Sequence, residues 1–512
     1  MRIIPRVLGD LLSRAARLLT RGAARPIDDV VARARAAAMR RDFATAAAEL
    51  ELALGIEPRS ARLWAQLADL RFELGLVDDA IAAYRRALEY DPRRPRVRSN
   101  LLFALAHRAE DPAALLEEHR EWAALVGEPA AGSRHAFGND RDPERPLRVG
   151  YVSPDLRGHA VSLFIEPLLA RHDPARIVVH CYDNAPSGDA VAKRLRSYGA
   201  VWREIDGLDG DALRRQVAAD AIDLLVELSG HTAGNRLADL ARRLAPVQAT
   251  YLGYHGTTGL AAIDYRITDP YVDPPGETEP HHVERLARMP HCLWCYRPPS
   301  HEPERVAVER RDARPTFASL NNLRKLSTPV LAAWARILLA VPEARLIIAG
   351  AAEGPSRRRV LAGLAERGVN LERVECIPWL SPAEFAALHG RIDLALDTYP
   401  FNGGTTTIEA LARGVPVLTW SGRTAASRCG RTILSNVGLP ELVADTAERY
   451  VATAAGLGGD RARLAALRSD LPGRVRRSPL MDEARFVADL EVLYRGMWRS
   501  WCQAERGAQA PR

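Results

Sequence analysis

The hydrophobic pattern of this chain changes period once, close to residue 147, and no single type of fold layer satisfies both sides of the change. Before it, apolar and small residues recur at helical spacings and the segment repeats, with Glu57-Pro58 and Asp91-Pro92 standing 34 residues apart. After it, short apolar runs alternate with stretches of helical composition: 147–153, 177–182, 222–228 and 248–252, then 316–319, 345–348, 394–396 and 415–419. Runs of that length bounded by turns read as buried strands, and strands alternating with helices build mostly parallel sheets. The expected fold is an all-α segment followed by two α/β units of about 150 residues each, two Rossmann-like lobes facing a cleft.

The 34-residue period resembles a tetratricopeptide array. Its second unit carries Trp64, Leu67, Ala68, Gly75, Ala80, Tyr84, Ala87 and Pro92 at the offsets where two antiparallel helices pack. The first unit, from Ile27, keeps Ala34, Ala46, Leu50, Ala53 and Pro58; the third, from Pro95, keeps Leu101, Leu102 and Leu105 and then loses the pattern. So short an array either binds peptides on its concave face or caps the next domain, and the sequence leaves both open. The expected division is a basic extension at 1–26, repeats at 27–130 and a Gly, Pro, Asp and Arg-rich linker at 131–146. The N-terminal lobe follows at 147–305, the C-terminal lobe at 306–470 and closing helices at 471–512.

Composition narrows the function classes. Hydrophobic residues at 47% and charged residues at 26% are ordinary for a globular chain, and no apolar run approaches a membrane span. The net charge of +7 comes almost wholly from arginine, Lys193 and Lys325 being the only lysines, and no stripe of aromatic and basic residues points to nucleic acid. Six scattered cysteines without a secretory signal predict reduced thiols and a cytoplasmic chain. Cys292-Leu-Trp-Cys295 lacks the second pair that a zinc ribbon needs, and the acidic run 206–211 reads as a capped loop before a helix. No HExxH, GxSxG or Walker lysine motif is present.

The stretch from Asp397 to Gly414 carries the strongest chemistry. A strand ends at Asp397, Gly403-Gly404 permits a turn, and Thr405, Thr406 and Thr407 supply hydroxyls where a helix begins. The unpaired N–H groups and positive dipole end of such a helix suit a diphosphate. Glu409, one turn in, has the reach for ribose hydroxyls. Asn322 and Lys325 follow the strand at 316–319, and Ser427-Arg428 follows the strand at 415–419 as support for the loop or the phosphates. In the first lobe, His159 lies beyond the first strand as a candidate base, while the glycine loops 230–232 and 253–259 allow a ligand close to the backbone.

These blocks, taken in order, resemble the O-linked N-acetylglucosamine transferase family. Arg148-Val-Gly-Tyr-Val-Ser-Pro-Asp155 with His159, Pro246-Val-Gln-Ala-Thr-Tyr-Leu-Gly-Tyr-His-Gly-Thr-Thr-Gly259 and Asp264-Tyr-Arg-Ile-Thr-Asp269 carry the resemblance in the first lobe. Asn321-Asn-Leu-Arg-Lys325, the run 397–407, Gly414-Val-Pro-Val-Leu-Thr419 and Ala426-Ser-Arg428 continue it in the second. The resemblance implies a two-lobed GT-B glycosyltransferase that takes a sugar, N-acetylglucosamine, from a UDP-sugar with inversion and without a metal or other cofactor. The acceptors it implies are serine and threonine hydroxyls of proteins, which the repeats would bind.

By the same resemblance Lys325 meets the diphosphate, Gly403, Gly404, Thr405 and Thr406 form its helix-end cradle, and Asn322 lies beside the nucleotide. His159 and Asp220 match residues considered for the proton acceptor, for which a donor phosphate oxygen also competes. Gly256, Thr257, Ser427 and Arg428 support the loops. Glu409 stands in place of a ribose-binding aspartate, Gly404 and Phe385 in place of histidines, and Pro382 in place of a lysine. These departures leave UDP-glucose, or a non-protein acceptor, as an alternative. A repeat-containing binding protein whose lobes hold UDP without turnover is the alternative from another class.

Overall fold

A computed structural model describes residues 26–127, 137–299 and 314–509, so the extension at 1–25, most of the linker's first half and the expected lobe boundary at 305 lie outside it. The helical segment contains three antiparallel pairs: α1 (Pro26–Met39) with α2 (Phe43–Ile56), α3 (Ala61–Glu73) with α4 (Val77–Tyr90), and α5 (Pro95–Ala106) with α6 (Pro112–Val126). The third pair is complete although its repeat signature fades. Its outer residues answer to the next domain, not to a fourth repeat: Leu102 and Trp122 join a core cluster with Val152, Tyr182 and Leu225 of the following lobe.

The N-terminal lobe is a seven-stranded sheet in the order β3-β2-β1-β4-β5-β6-β7. Its strands are β1 (Leu147–Ser153), β2 (Ile177–Asp183), β3 (Val201–Glu204), β4 (Leu224–Glu227), β5 (Val247–Thr250), β6 (Tyr265–Thr268) and β7 (Arg285–Arg288). The C-terminal lobe is six-stranded, in the order β10-β9-β8-β11-β12-β13. It comprises β8 (Thr316–Ser319), β9 (Arg345–Ala349), β10 (Val374–Ile377), β11 (Leu394–Leu396), β12 (Val417–Trp420) and β13 (Val443–Ala444). Every ladder is parallel. Each sheet therefore reverses its strand order once, between β1 and β4 and between β8 and β11, and ligands of open α/β sheets bind beyond the strand ends at such points.

The boundary expected at 470 falls inside the helix Arg461–Arg477, which packs on the C-terminal lobe through Leu464 and Leu471. The last helix, Glu483–Gln509, returns to the N-terminal lobe: Tyr494 Oη lies 3.2 Å from Tyr151 Oη, and Glu491 Oε1 lies 3.0 Å from His172 Nδ1. That return ties the two lobes together behind the cleft. Among the described residues no helix is long and apolar enough to cross a membrane.

Candidate active site

The C-terminal lobe places two loops at its switch point. The loop after β11 is folded around Asp397, whose carboxylate is buried. Its Oδ1 accepts from the N–H groups of Gly403 at 2.7 Å and Thr398 at 2.8 Å, and from Asn321 Nδ2 at 3.2 Å; Oδ2 accepts from Thr419 Oγ1 at 2.7 Å. Burial raises its pKa, while those donors and the charge of Lys325 pull it back down. Asn321 also accepts from Thr406 Oγ1 at 2.9 Å, which links the loop after β8 to the helix Thr405–Ala412. Gly403 is required by packing: a Cβ there would stand 2.6 Å from Thr407 Oγ1 and 2.8 Å from Thr406 Oγ1. The helix begins on Gly404 with no side chain capping it, and Gly404, Thr405 and Thr406 remain partly exposed. An anion thus finds an open helix terminus beside two hydroxyls.

Lys325 reaches this turn from the other loop. Its Nζ donates to the Asn402 carbonyl at 2.7 Å and stands 4.6 Å from the centroid of the Phe401 ring. Burial lowers its pKa from the ordinary lysine value, and Asp397 opposes the shift. The ammonium is therefore held by a carbonyl and a π face at the place where the helix terminus is open.

The remaining expected residues of this lobe fall around that centre. Asn322 is exposed and turns its Oδ1 onto the N–H of Arg324 at 3.0 Å. Glu409 lies one turn into the helix, 3.8 Å from Arg413. Phe385 stands edge-on to His389 at 5.0 Å. Ser427 is buried in its own turn, its hydroxyl donating to the Thr424 carbonyl at 2.8 Å. Arg428 donates to the Gly422 carbonyl at 2.9 Å and, across the cleft, to the Val272 carbonyl at 3.3 Å, so it clasps the lobes.

On the facing lobe, His159 lies beyond the end of β1 with about half its side chain exposed. Its Nδ1 accepts from the N–H of Val161 at 3.3 Å and stands 3.7 Å from Asp155 Oδ2. Gly256 and Thr257 serve the loop itself: the Gly256 carbonyl accepts from Arg266 at 3.0 Å, and Thr257 Oγ1 donates to the buried Glu284 at 2.6 Å.

Asp220 does not join them. It terminates the helix Gly210–Ala219 before β4, at the sheet edge opposite to that of His159. Arg203 donates to both its oxygens at 2.7 and 3.1 Å, Tyr182 Oη to one at 2.8 Å and Gln216 to the same one at 3.1 Å. Burial works to raise its pKa, but these partners outweigh burial and keep it ionised. Geometry makes it the anchor of β2, β3 and the helix, not a proton acceptor in the cleft.

Sequence reasoning missed two residues and the role of a third. His255, inside the quoted glycine loop, sets its ring 5.5 Å from Trp294 and 5.7 Å from Phe401; burial, Arg266 and Lys325 push its pKa down to about 3. Trp294 comes within 3.6 Å of where a Gly404 Cβ would stand. Asp397 was visible as the end of the motif strand, but its organising role depends on loops 76 and 22 residues away. Cys292 and Cys295 are buried free thiols beside this junction, and burial raises the pKa of both.

Two parallel α/β sheets, each with one switch point, and in the second lobe a cation beside a bare helix terminus are the arrangement of the GT-B fold. Residues 130–297 and 305–490 match the family described as Glycosyl transferase family 41, and residues 37–102 match the Tetratricopeptide repeat. The chain belongs to glycosyl transferase family 41. A Petunia hybrida protein named as a probable UDP-N-acetylglucosamine–peptide N-acetylglucosaminyltransferase SPINDLY is 40% identical over 427 residues, 82% of this chain and 46% of that one. An Arabidopsis thaliana protein named as a probable enzyme of the same activity, SEC, is 29% identical over 374 residues, 70% of this chain and 38% of that one. The chain thus spans about half the length, or less, of the curated relatives it matches. Among solved structures, a mutant of the Thermobaculum terrenum O-GlcNAc transferase superposes with a TM-score of 0.86 at 36% identity, covering 99% of this chain and 100% of that one.

Proposed function

We propose that this protein is an inverting glycosyltransferase that moves N-acetylglucosamine from UDP to serine or threonine hydroxyls of protein acceptors in the cytoplasm. The observation that carries the reading is the convergence of Lys325, the Asp397-organised turn and the open helix terminus at Thr405 on one point of the cleft. The whole-length likeness to a bacterial O-GlcNAc transferase and the names of the curated relatives support the donor and acceptor.

The chemistry follows from charge. The acceptor oxygen attacks the anomeric carbon as the bond from that carbon to the β-phosphate oxygen breaks, and the electron pair leaves with UDP. Negative charge grows on the phosphate. Lys325 and the first N–H groups of the helix lie ready to stabilise it with fixed charges and dipoles, the role that a metal ion takes elsewhere. The acceptor's proton passes to His159 or to a donor phosphate oxygen. Aiming by His159 would contribute about 10² to 10⁴ in rate.

A second donor reading has its own support. A Cβ at Gly404 would just touch Trp294 at 3.6 Å, and His255 presents an imidazole at the same junction, so the sugar pocket differs from that of relatives with a histidine at the Gly404 position. UDP-glucose is the runner-up donor. Release of nucleotide from a panel of UDP- and GDP-sugars, with cell lysate or a defined peptide as acceptor, separates the readings. Turnover with UDP-N-acetylglucosamine and mass spectrometry of O-linked product are expected. UDP binding without turnover of any sugar would leave only a binding protein.

A further inference from the structure

The donor loops have a neighbour that neither sheet supplies. The turns inside the three helix pairs face the C-terminal edge of the second lobe's sheet. The first, at Arg41–Ala44, is separated from the loop 350–356 and from Trp379 by a cavity of about 790 Å³. The second and third make contact. Glu73 pairs with Arg324, whose guanidinium stands 4.8 Å from the centroid of Phe72. A Cβ added at Gly75 would come within 3.4 Å of the Arg324 nitrogen.

The third turn makes three contacts from four consecutive residues. The His107 ring stacks on Phe401 with centroids 4.4 Å apart and planes 23° from parallel. Arg108 Nη1 donates to the Arg324 carbonyl at 2.9 Å. Tyr399 Oη donates to Glu110 Oε2 at 3.1 Å. All of these contacts fall on the loops 321–326 and 399–402, the two that position Lys325. Phe401 is shared between the Lys325 ammonium and the His107 ring, and His107 is fixed in turn by its Nδ1 against the Phe103 carbonyl at 2.9 Å.

We propose that His107 and Arg108 are positioning residues for the donor diphosphate, so that the repeats complete the donor site instead of serving only as a surface for acceptors. The inference rests on the reading of the cleft as a nucleotide-sugar site. Its physical basis is the steep dependence of transition-state stabilisation on where a charge is held, since a small displacement of the ammonium removes more rate than binding. The imidazole suits the place. Burial, with Lys325, Arg108 and Arg324 nearby, pushes its pKa down to about 3, so a neutral ring stands beside the cation.

The test uses the full chain, with UDP affinity by calorimetry, kcat and KM for UDP-N-acetylglucosamine by nucleotide release, and the melting temperature of each variant. His107→Ala is expected to lower kcat about tenfold and UDP affinity by a smaller factor at temperatures where it is fully folded. His107→Phe, which keeps a flat ring on Phe401, is expected to stay within about twofold of the parent. A purely structural role would lower the melting temperature of His107→Ala and leave kcat in place, and that result overturns the proposal. If His107→Ala does not fold, Arg108→Met removes the bond to the Arg324 carbonyl; a fall in kcat in a folded variant supports the proposal and a parental kcat overturns it. A parent protein that binds no UDP and turns over no nucleotide sugar overturns the functional reading and this inference together.

Discussion

At the scale of single residues, Lys325 is the sharpest prediction. In the proposed reaction it meets the charge that develops in the transition state, so Lys325→Ala is expected to reduce turnover by about 10²-fold or more while UDP affinity falls much less. Steady-state nucleotide release beside UDP calorimetry measures both, and an unchanged rate would remove Lys325 from the phosphate role. Its pH dependence has a definite sign. Burial lowers the folded pKa below the ordinary lysine value, so the ammonium is lost as pH rises through that lowered value. The kcat/KM of the parent should therefore fall on an alkaline limb that lies below the range of an exposed lysine. Lysine is rare in this chain and Lys325 follows a strand end, but the family resemblance singled it out, and the structure sets its ammonium on the Asn402 carbonyl. Asp220 misled for a physical reason. A sequence places a carboxylate near a loop but does not show that Arg203, Tyr182 and Gln216 have taken its oxygens.

At the scale of elements, the turn and helix at 403–412 give a discriminating pair. Read from residue type alone, Gly403 and Gly404 are both turn residues. In the structure a Cβ on Gly403 collides with Thr406 and Thr407, whereas one on Gly404 meets only Trp294 at 3.6 Å. Gly403→Ala is expected to cost about tenfold or more in UDP affinity, by displacing the threonines from the helix end. Gly404→Ala should bind UDP as the parent does, and calorimetry on the two variants checks the contrast. Equal losses would mean that the turn's backbone freedom, not its packing, matters.

Burial explains part of which strands the sequence revealed, although the buried β6, Tyr-Arg-Ile-Thr, also went unannounced because charge and hydroxyl interrupt it. β1, β4, β8 and β11 are apolar runs covered on both faces, and all were expected. β3 and β7 are edge strands, Val-Trp-Arg-Glu and Arg-Leu-Ala-Arg, with half-exposed or exposed side chains, so no apolar run announced them. The third repeat faded from the pattern because its helices pack on a lobe, where Trp122 and His119 replace the usual small residues.

At the scale of the whole molecule, the junction between repeats and lobes is closed by neutral histidines, and this makes the assembly sensitive to acid. His107 stacks on Phe401. His119 Nε2 lies 2.8 Å from Tyr254 Oη, and His231 bridges Ser99 of α5 at 2.9 Å and the Thr258 carbonyl at 3.0 Å. Burial is the main cause that holds all three below the ordinary histidine value, with His107 at about 3 and His119 at about 4. The charges around them offer little help to an imidazolium. Lys325, Arg108 and Arg324 oppose it at His107 and His119 opposes it at His231, while at His119 Glu284 favours it and His282 opposes it. Because the folded pKa values are depressed, the unfolded chain binds more protons below about pH 6.5. The stabilisation is complete above that pH and is lost as pH falls toward the folded values, at up to about 1.4 kcal/mol per histidine and pH unit. Between pH 7 and pH 5 the melting temperature should therefore drop steadily, and proteolysis at pH 5 should cut first in the turns and linker of the repeat segment. If the repeats protect the donor loops as the contacts at His107 and Arg108 require, UDP affinity should decline over the same interval. A melting temperature that stays level to pH 5, or first cuts inside the lobes, would place the weak point elsewhere than this junction.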